Sequence, residues 1–397
     1  MSLKKLSVII AASLLSQWGA PPASPAKVVF TGYADLRAIP YGITEIRASQ
    51  GLAALLAGAQ TKTRETAFNI DSVGLFAATH FNDQLGFDID ITYKNIGFKT
   101  NEIRFQYANL FYDAPGGIYL KAGKITLPIG YFNENLFYPF SRKSIDPPVF
   151  QSAILGLPIS DIGMSAVKTF DSDPVQLSVS AFGVNGYGNA DTGVQVFRPG
   201  LAASGALVLS NNLKAANSND TLAGGGKVQL AFLPGKQMKI GASGYYGPWS
   251  RNSMDDFTMA NGYVRFEDPR FEFLAEYLNT KTQNDAGVVG AFGVDDWKSD
   301  GFFIEAALRL LERDGKVLHG FAGFENTVVK GDGGGVGTEE LMNYKGGFSL
   351  KMNDFITLKT EYSHLKYQLP VQKTGGGTPD GIAFDRDRLV FAAVVSY

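Results

Sequence analysis

Apolar and polar residues alternate with a period of two along many short stretches of this 397-residue chain. In residues 301–312, GFFIEAALRLLE, Phe302 and Ile304 fall on one face, whereas Glu305 and Arg309 fall on the other. The stretches FDIDITYK, KVQLAFL and FITLKTEYS alternate in the same way. Because successive side chains of a β-strand point to opposite faces, this pattern predicts an all-β protein made of half-buried strands.

Two kinds of connection separate the predicted strands, and they alternate along the chain. The short kind is rich in Asn, Asp, Pro and Gly, which favour tight turns. It occurs at residues 81–84, 113–117, 171–174, 234–236, 267–270, 313–316 and 352–354. The long kind occurs at residues 40–66, 128–161, 186–222, 248–257, 281–299, 328–341 and 368–383, with one short exception at 97–100. Seven short turns with both termini at the same end predict a transmembrane antiparallel β-barrel of about sixteen strands, with short periplasmic turns and long extracellular loops.

The direction of the apolar face follows from the width of the barrel. Alternation alone does not separate a soluble barrel from a membrane barrel. Sixteen strands enclose more space than side chains can fill, so we expect water inside and lipid outside. Residues 1–26 combine Lys4 and Lys5 with a short apolar run and small residues before Ala26, which is typical of a cleaved signal peptide. The barrel itself is then expected over residues 27–397.

The C-terminal stretch DRLVFAAVVSY is predicted to be the last strand, pairing with a first strand at residues 27–37 to close the barrel. Phe391, Val395 and Tyr397 are expected on its outward face. An aromatic residue at the last outward position resembles the C-terminal assembly signal of Gram-negative outer-membrane proteins. The resemblance implies recognition by the barrel-assembly machinery. It also implies a location in the cell outer membrane of a Gram-negative bacterium, among lipid and lipopolysaccharide.

Composition excludes several classes of function. The chain has no cysteine, so no thiolate metal site or cysteine nucleophile exists, and its net charge of −2 gives no reason to expect a nucleic-acid partner. Ser363 and His364 are adjacent on a predicted strand and therefore face opposite sides. The glycine-rich stretches lack phosphate-loop spacing and the carboxylates lack calcium-loop spacing, so we expect neither an enzyme nor a bound cofactor or metal.

The stretch YLKAGKITLPIGYFNENLF, residues 119–137, resembles the porin O/P type of outer-membrane channel. The resemblance covers about twenty residues and rests on Gly123-Lys124 followed by the Pro128-x-Gly130 turn. It implies a sixteen-stranded channel, a homotrimer, whose third external loop folds into the lumen and narrows it. The third external loop here is 128–161. Its aromatic content favours packing inside the barrel, and its charged residues are the candidate constriction: Glu134, Arg142, Lys143 and Asp146.

Charged residues on the polar strand face are predicted to line the lumen. The basic candidates in this set are Arg37, Arg104, Lys121, Arg265, Arg309, Lys359, Arg386 and Arg388, with Lys239 as a further one. The acidic candidates are Asp88, Asp90, Glu272 and Glu276, with Asp35, Glu305 and Glu361 as further ones. Many of them could instead form neighbouring ion pairs on the wall, such as Glu305 with Arg309 or Lys359 with Glu361. The small basic excess predicts a weak anion preference at best.

These observations predict a porin that passes small hydrophilic solutes and ions by passive diffusion. No arginine ladder is evident, so phosphate selectivity is not implied. Two alternatives stay open. Residues 44–60 could form a short helix that plugs the lumen of a substrate-specific transporter, or the barrel could be a non-channel protein that presents long loops such as 186–222 to a binding partner.

Overall fold

The computed structural model describes residues 28–48, 62–96, 100–148, 160–186, 188–189, 213–214, 222–248, 256–283, 296–332, 338–371 and 380–397. The predicted signal peptide lies outside these residues, as do positions 49–60 of the segment considered as a plug. The first part of that segment, through Ala48, continues the first strand, so a helix beginning at Thr44 is wrong.

Sixteen antiparallel strands form one closed barrel, as predicted. They are β1 (Val28–Ala48), β2 (Lys62–His80), β3 (Leu85–Ile96), β4 (Thr100–Ala114), β5 (Ile118–Thr126), β6 (Ser160–Ser172), β7 (Val175–Val184), β10 (Ala223–Phe232), β11 (Met238–Pro248), β12 (Asp256–Glu267), β13 (Phe271–Gln283), β14 (Asp296–Arg313), β15 (Lys316–Asp332), β16 (Glu339–Lys351), β17 (Ile356–Val371) and β18 (Asp380–Ser396). The two-residue strands β8 (Gly188–Asn189) and β9 (Leu213–Lys214) pair with each other outside the barrel sheet. Strand β1 pairs with both β2 and β18, which closes the ring.

All seven short turns fall where the sequence predicts them, but the strands are longer than predicted. β1 runs to Ala48 instead of Arg37, and β14 begins at Asp296 instead of after Ser299. The sequence pattern predicts a loop at Pro40. This residue lies inside β1 at a shift in register between Ala38 and Tyr41, a place where proline can sit because the ladder is already interrupted. The strand ends therefore extend into the segments that the sequence assigned to loops.

The apolar strand face points outward. Phe302, Ile304 and Leu308 of β14 are exposed, whereas Glu361 and Lys359 of β17 face the interior and are buried there. This is the inverted arrangement expected of a barrel with lipid outside. No helix within the described residues is long and apolar enough to cross a membrane.

Candidate channel constriction

The connection after β5 turns into the barrel instead of away from it. Its described part, residues 128–148, includes the single-turn helix α1 (Phe132–Asn135). Gly130 has a φ of +69°, a backbone conformation that favours glycine, and a Cβ there would collide with the carboxylate of Glu276. The Pro-x-Gly turn thus has a physical reason, since only glycine lets the chain bend here against a buried acid.

One end of the loop is fixed to the wall formed by β10–β13. The backbone N–H groups of Tyr131 and Phe132 donate to one Oε2 of Glu276, at 3.2 and 3.0 Å. Lys227 donates to Glu134 at 2.5 Å and to the carbonyl oxygen of Gly130 at 2.9 Å. A cluster of buried apolar side chains, including Phe132 and Phe303 of β14, packs beside these polar contacts. Glu134, a predicted constriction residue, therefore lies at this wall.

The other end of the loop is fixed to β1, β17 and β18. Asp146 accepts from Arg37 at 2.7 Å and from Arg388 at 3.0 Å. Lys359 donates to three carbonyl oxygens of the loop, those of Pro139 at 2.5 Å, Arg142 at 2.6 Å and Ser144 at 3.2 Å. The N–H of Ile145 donates to Glu361 at 2.7 Å. Most of these contacts use loop backbone, so wall side chains fix the path of the loop more than its own side chains do.

These two sets of contacts lie on opposite sides of the ring. The N–H of Gly130 donates to Ser243 of β11 at 3.0 Å, and Asp146 binds Arg37 of β1. In the order of the ring, β1 and β11 lie eight positions apart among sixteen strands. The loop therefore crosses the interior from wall to wall and reduces the open cross-section.

Arg142 and Lys143 have different surroundings although they are adjacent. The Arg142 guanidinium is buried and donates to the loop's own carbonyl oxygens, with Nη2 at 2.6 Å from that of Ile145 and Nη1 bonded to that of Phe137. It stabilises the fold of the loop. Lys143 instead reaches across to Glu272 of β13, at 2.9 Å, and Glu272 also accepts from Arg265 at 2.8 Å.

A cavity of about 200 Å³ lies between the loop and the wall of β1–β3 and β18. Its charged lining consists of four cationic side chains and two carboxylates, namely Arg37, Lys94, Arg142, Arg386, Asp71 and Asp146. Arg37 binds both carboxylates as well as Asp35, so most of the negative charge is already paired with this one residue. The remaining cations give the cavity a positive balance.

The charge of Asp146 follows from this environment. Burial on its own would raise the pKa of the carboxyl group. Arg37, Arg388, Arg386 and Arg142 outweigh that effect and hold the pKa of Asp146 well below its usual range. Asp146 is therefore ionised at any pH at which the protein is expected to work.

Twelve of the predicted wall residues lie on strand positions that face inside: Arg37, Arg104, Lys121, Arg265, Arg309, Lys359, Arg386, Arg388, Asp88, Asp90, Glu272 and Glu276. Their ion pairs differ from the two that the sequence suggested. Arg309 binds Glu312, and Glu305 binds Lys345 at 3.3 Å. Lys359 and Glu361 each bind loop backbone.

Sequence reasoning missed several charged residues at the site. Lys94 and Asp71 line the charged cavity, and Lys227 and Lys345 bind the loop. Lys94 shares the inward face of β3 with Asp88 and Asp90, so period-two alternation was enough to find it. Lys345 lies in the short stretch NYKGGF, where two glycines hide the alternation.

Ser363 and His364 point to opposite faces of β17, as predicted. Ser363 faces inside and His364 faces outside, where its Nδ1 lies 2.7 Å from Asp387. Among the described residues, no group of three or more His, Asp or Glu side chains is arranged to hold a metal ion.

A closed ring of sixteen strands, an outward apolar face and a loop folded across the interior define a barrel of the porin type, located in the Gram-negative outer membrane.

The outer membrane channel DcaP of Acinetobacter baumannii is similar in fold, with a TM-score of 0.55 and 12% identity, covering 94% of this chain and 97% of that chain. An anion-selective porin from Comamonas acidovorans has a TM-score of 0.53 at 10% identity, covering 93% and 99%. OmpT of Vibrio cholerae, an outer-membrane protein, has a TM-score of 0.51 at 10% identity, covering 95% and 99%. No family model matches the chain, and no curated protein matches it in sequence.

Proposed function

We propose that this protein is a passive diffusion channel for small hydrophilic solutes and ions, with a preference for anions. The observation that carries the proposal is the loop of residues 128–148, which crosses the interior beside a cavity lined by four cations and two carboxylates. Rings and patches of charge at a narrow point set ion preference in a pore. The protein acts without catalysis or a bound cofactor, and it assembles as a homotrimer.

Lys94 is the best single probe of the anion preference. It faces the lumen on β3 and lies within electrostatic reach of Asp71, Arg37, Arg142 and Arg104. The hydrogen bonds described above between the wall and the loop do not involve Lys94. A unit charge at about 10 Å in water changes the energy of a passing ion by about 0.4 kcal/mol, which is a factor of about two in permeability.

The experiment is planar-bilayer conductance of the purified protein, with a potassium chloride gradient to give the reversal potential. We expect conductance steps in multiples of three and an anion-selective reversal potential. Lys94→Gln should lower the ratio of anion to cation permeability about twofold. Arg313→Gln is the matched control, because Arg313 is exposed at the end of β14 and is paired with Asp314 of the adjoining turn.

Two results would contradict the proposal. A cation-selective reversal potential would show that the carboxylates of the lumen dominate. Silence from a protein that circular dichroism shows to be folded would favour the plugged transporter or the loop-presenting barrel instead.

A further inference from the structure

Five aromatic side chains meet where the loop faces β1 and β2. We name this group the aromatic platform, and it consists of Tyr33, Phe76, Phe137, Tyr138 and Phe140. The rings of Tyr138 and Phe140 are stacked, with centroids 5.4 Å apart and planes at 5°. Phe76 packs edge-on against Tyr138 at 5.1 Å, and Tyr33 packs edge-on against Phe140 at 5.6 Å. These are the offset and edge-to-face geometries that aromatic pairs prefer.

Hydrogen bonds hold the platform in place. The hydroxyl group of Tyr138 donates to Asp90 of β3 at 2.5 Å, and Thr92 donates to the other oxygen of Asp90 at 2.9 Å. Pro139 lies between Tyr138 and Phe140 in the chain, and its carbonyl oxygen accepts from Lys359. Both the backbone and the rings are therefore fixed before any solute arrives, which lowers the entropic cost of binding.

The platform is buried or partly buried everywhere except at Phe140. Tyr33 is 1% exposed, whereas Phe140 is 43% exposed although it lies inside the barrel. One face of Phe140 is covered by Tyr138. Exposing an apolar ring to water inside the lumen is unfavourable unless something covers the ring. The exposed ring of Phe140 is not needed to hold the loop in place, because other side chains anchor the loop.

The platform also lies at a defined depth. Phe76 pairs with Thr31 of β1, whereas Arg37 lies further along β1 towards the external end. A solute that enters from outside therefore meets the charged cavity first and the exposed ring of Phe140 next. Further towards the periplasmic end, Phe111 stacks on Tyr119 at 5.9 Å and Lys121 lies over Tyr119 at 5.5 Å, so the same wall continues with aromatic rings.

From this geometry we infer that the exposed face of Phe140 is a binding subsite for solutes that carry a flat aromatic ring. The inference rests on the proposed channel function and deepens it by naming a class of solute. A ring that stacks on Phe140 makes the offset contact that Tyr138 already makes on the opposite face. Aromatic pairing contributes enough to tighten binding about three- to tenfold relative to a non-aromatic solute of equal size.

Two amino acids serve as matched probes. Phenylalanine and cyclohexylalanine carry the same charges and nearly the same volume, but only phenylalanine has a flat aromatic ring. Each is added to one side of a bilayer that contains single channels, and the frequency and duration of current interruptions give the dissociation constant. In the natural protein, we expect the dissociation constant of phenylalanine to be about three- to tenfold lower than that of cyclohexylalanine.

Substitution of Phe140 separates stacking from simple occlusion. Phe140→Leu keeps an apolar side chain and leaves the hydrogen bonds of Tyr138 and Pro139 in place, so the loop should keep its position. It should make the two probes equally effective. Phe355→Leu is the control, because Phe355 is exposed in a periplasmic turn and contributes nothing to the platform.

Three outcomes would overturn the inference: equal blockage by both probes in the natural protein, an unchanged ratio in the Phe140→Leu variant, or a sugar such as maltotriose that blocks more strongly than phenylalanine. Absence of any conductance would overturn the channel function instead. The subsite is then measured by saturation-transfer NMR of phenylalanine with the detergent-folded protein. Transfer that Phe140→Leu abolishes supports the subsite, and its absence from the natural protein refutes it.

Discussion

The aromatic ring of Tyr397 lies over Gly32. The two residues exchange backbone hydrogen bonds, with the N–H of Gly32 at 2.9 Å from the carbonyl oxygen of Tyr397 and the reverse pair at 3.0 Å. A Cβ on Gly32 would lie 2.6 Å from the Tyr397 hydroxyl oxygen and equally close to the carbonyl oxygen of Gly74. The last residue of the chain thus completes the barrel seam, and a glycine opposite makes room for it.

Gly32→Ala should destabilise the seam. The new methyl group meets the backbone of Gly74 as well as the tyrosine, so a side-chain rotation does not relieve the clash. Overpacking of this kind costs about 1–3 kcal/mol. The measurement is urea unfolding of the detergent-folded protein, followed by tryptophan fluorescence.

Gly262→Ala is the matched control for that experiment. Gly262 also lies within a barrel strand, but a Cβ there would meet nothing within 4 Å. Its unfolding midpoint should stay the same or rise slightly, because alanine restricts the unfolded chain more than glycine does. Equal midpoints for the two variants would show that the seam tolerates the methyl group.

Tyr397→Lys tests the C-terminal assembly signal. The backbone pair with Gly32 does not depend on the side chain, so the purified variant should still fold in detergent. In cells we expect its level in the outer membrane to fall severalfold, whereas Tyr397→Phe should be unaffected. Normal membrane levels of Tyr397→Lys would argue against a signal at this position, and failure to fold in detergent would assign the effect to the seam.

The C-terminal strand also shows where sequence reasoning stopped. Alternation correctly predicted that Phe391 faces outward, and it is 44% exposed. It gave no reason for the apolar residues Val390 and Ala392 on the inward face. The structure supplies the reason, since both belong to one buried apolar cluster with Ile145 of the folded-in loop. That contact joins residues far apart in the chain, and local periodicity contains no information about it.

The same limit applies to the constriction. Alternation placed the wall charges on the inward face, whereas the resemblance to sixteen-stranded porins, together with the aromatic content of the loop, predicted which loop folds inward. As an alternative, the sequence offered Lys359 an ion pair with Glu361, its near neighbour on the strand. The structure gives each a separate loop partner, because a buried charge must find hydrogen bonds and the loop backbone offers them at closer range.

Lys359→Met should loosen the loop. The substitution leaves the carbonyl oxygens of Pro139, Arg142 and Ser144 without their shared donor, and a hydrogen bond to a charged group contributes about 1.5–3 kcal/mol. We expect larger fluctuations of the single-channel current and a higher mean conductance. Lys351→Met is the control, because Lys351 lies at the periplasmic end and binds only Asp354 among the contacts described for it. A quiet, unchanged current in Lys359→Met would mean that the other anchors suffice.

Deletion of residues 133–147 should raise the conductance without abolishing insertion. The sixteen-stranded ring is complete without the loop, and the wall charges that lose their partners become hydrated in the widened lumen. The measurement compares single-channel conductance and outer-membrane level with those of a variant lacking residues 286–294 of a different external connection. An unchanged conductance after the 133–147 deletion would mean that the loop does not limit ion flow.

Asp146→Asn should increase the anion preference, because it removes one carboxylate from among Arg37, Arg388 and the cations of the cavity. The reversal potential should shift towards the chloride equilibrium potential, with a ratio of anion to cation permeability about twofold higher.

The dependence on pH follows from the lowered pKa of Asp146. The pKa of an aspartate in the unfolded chain is about 4, and that of Asp146 in the folded protein is lower. Ionised Asp146 therefore stabilises the fold at every pH above about 4, and this stabilisation is lost only as the pH falls through the pKa of the folded state. The difference between the natural protein and the variant should therefore be the same at pH 7.5 and pH 5, whichever other carboxylates titrate in both. A difference that already vanishes at pH 5 would show that Asp146 takes up a proton there and that the arginines do not hold it ionised.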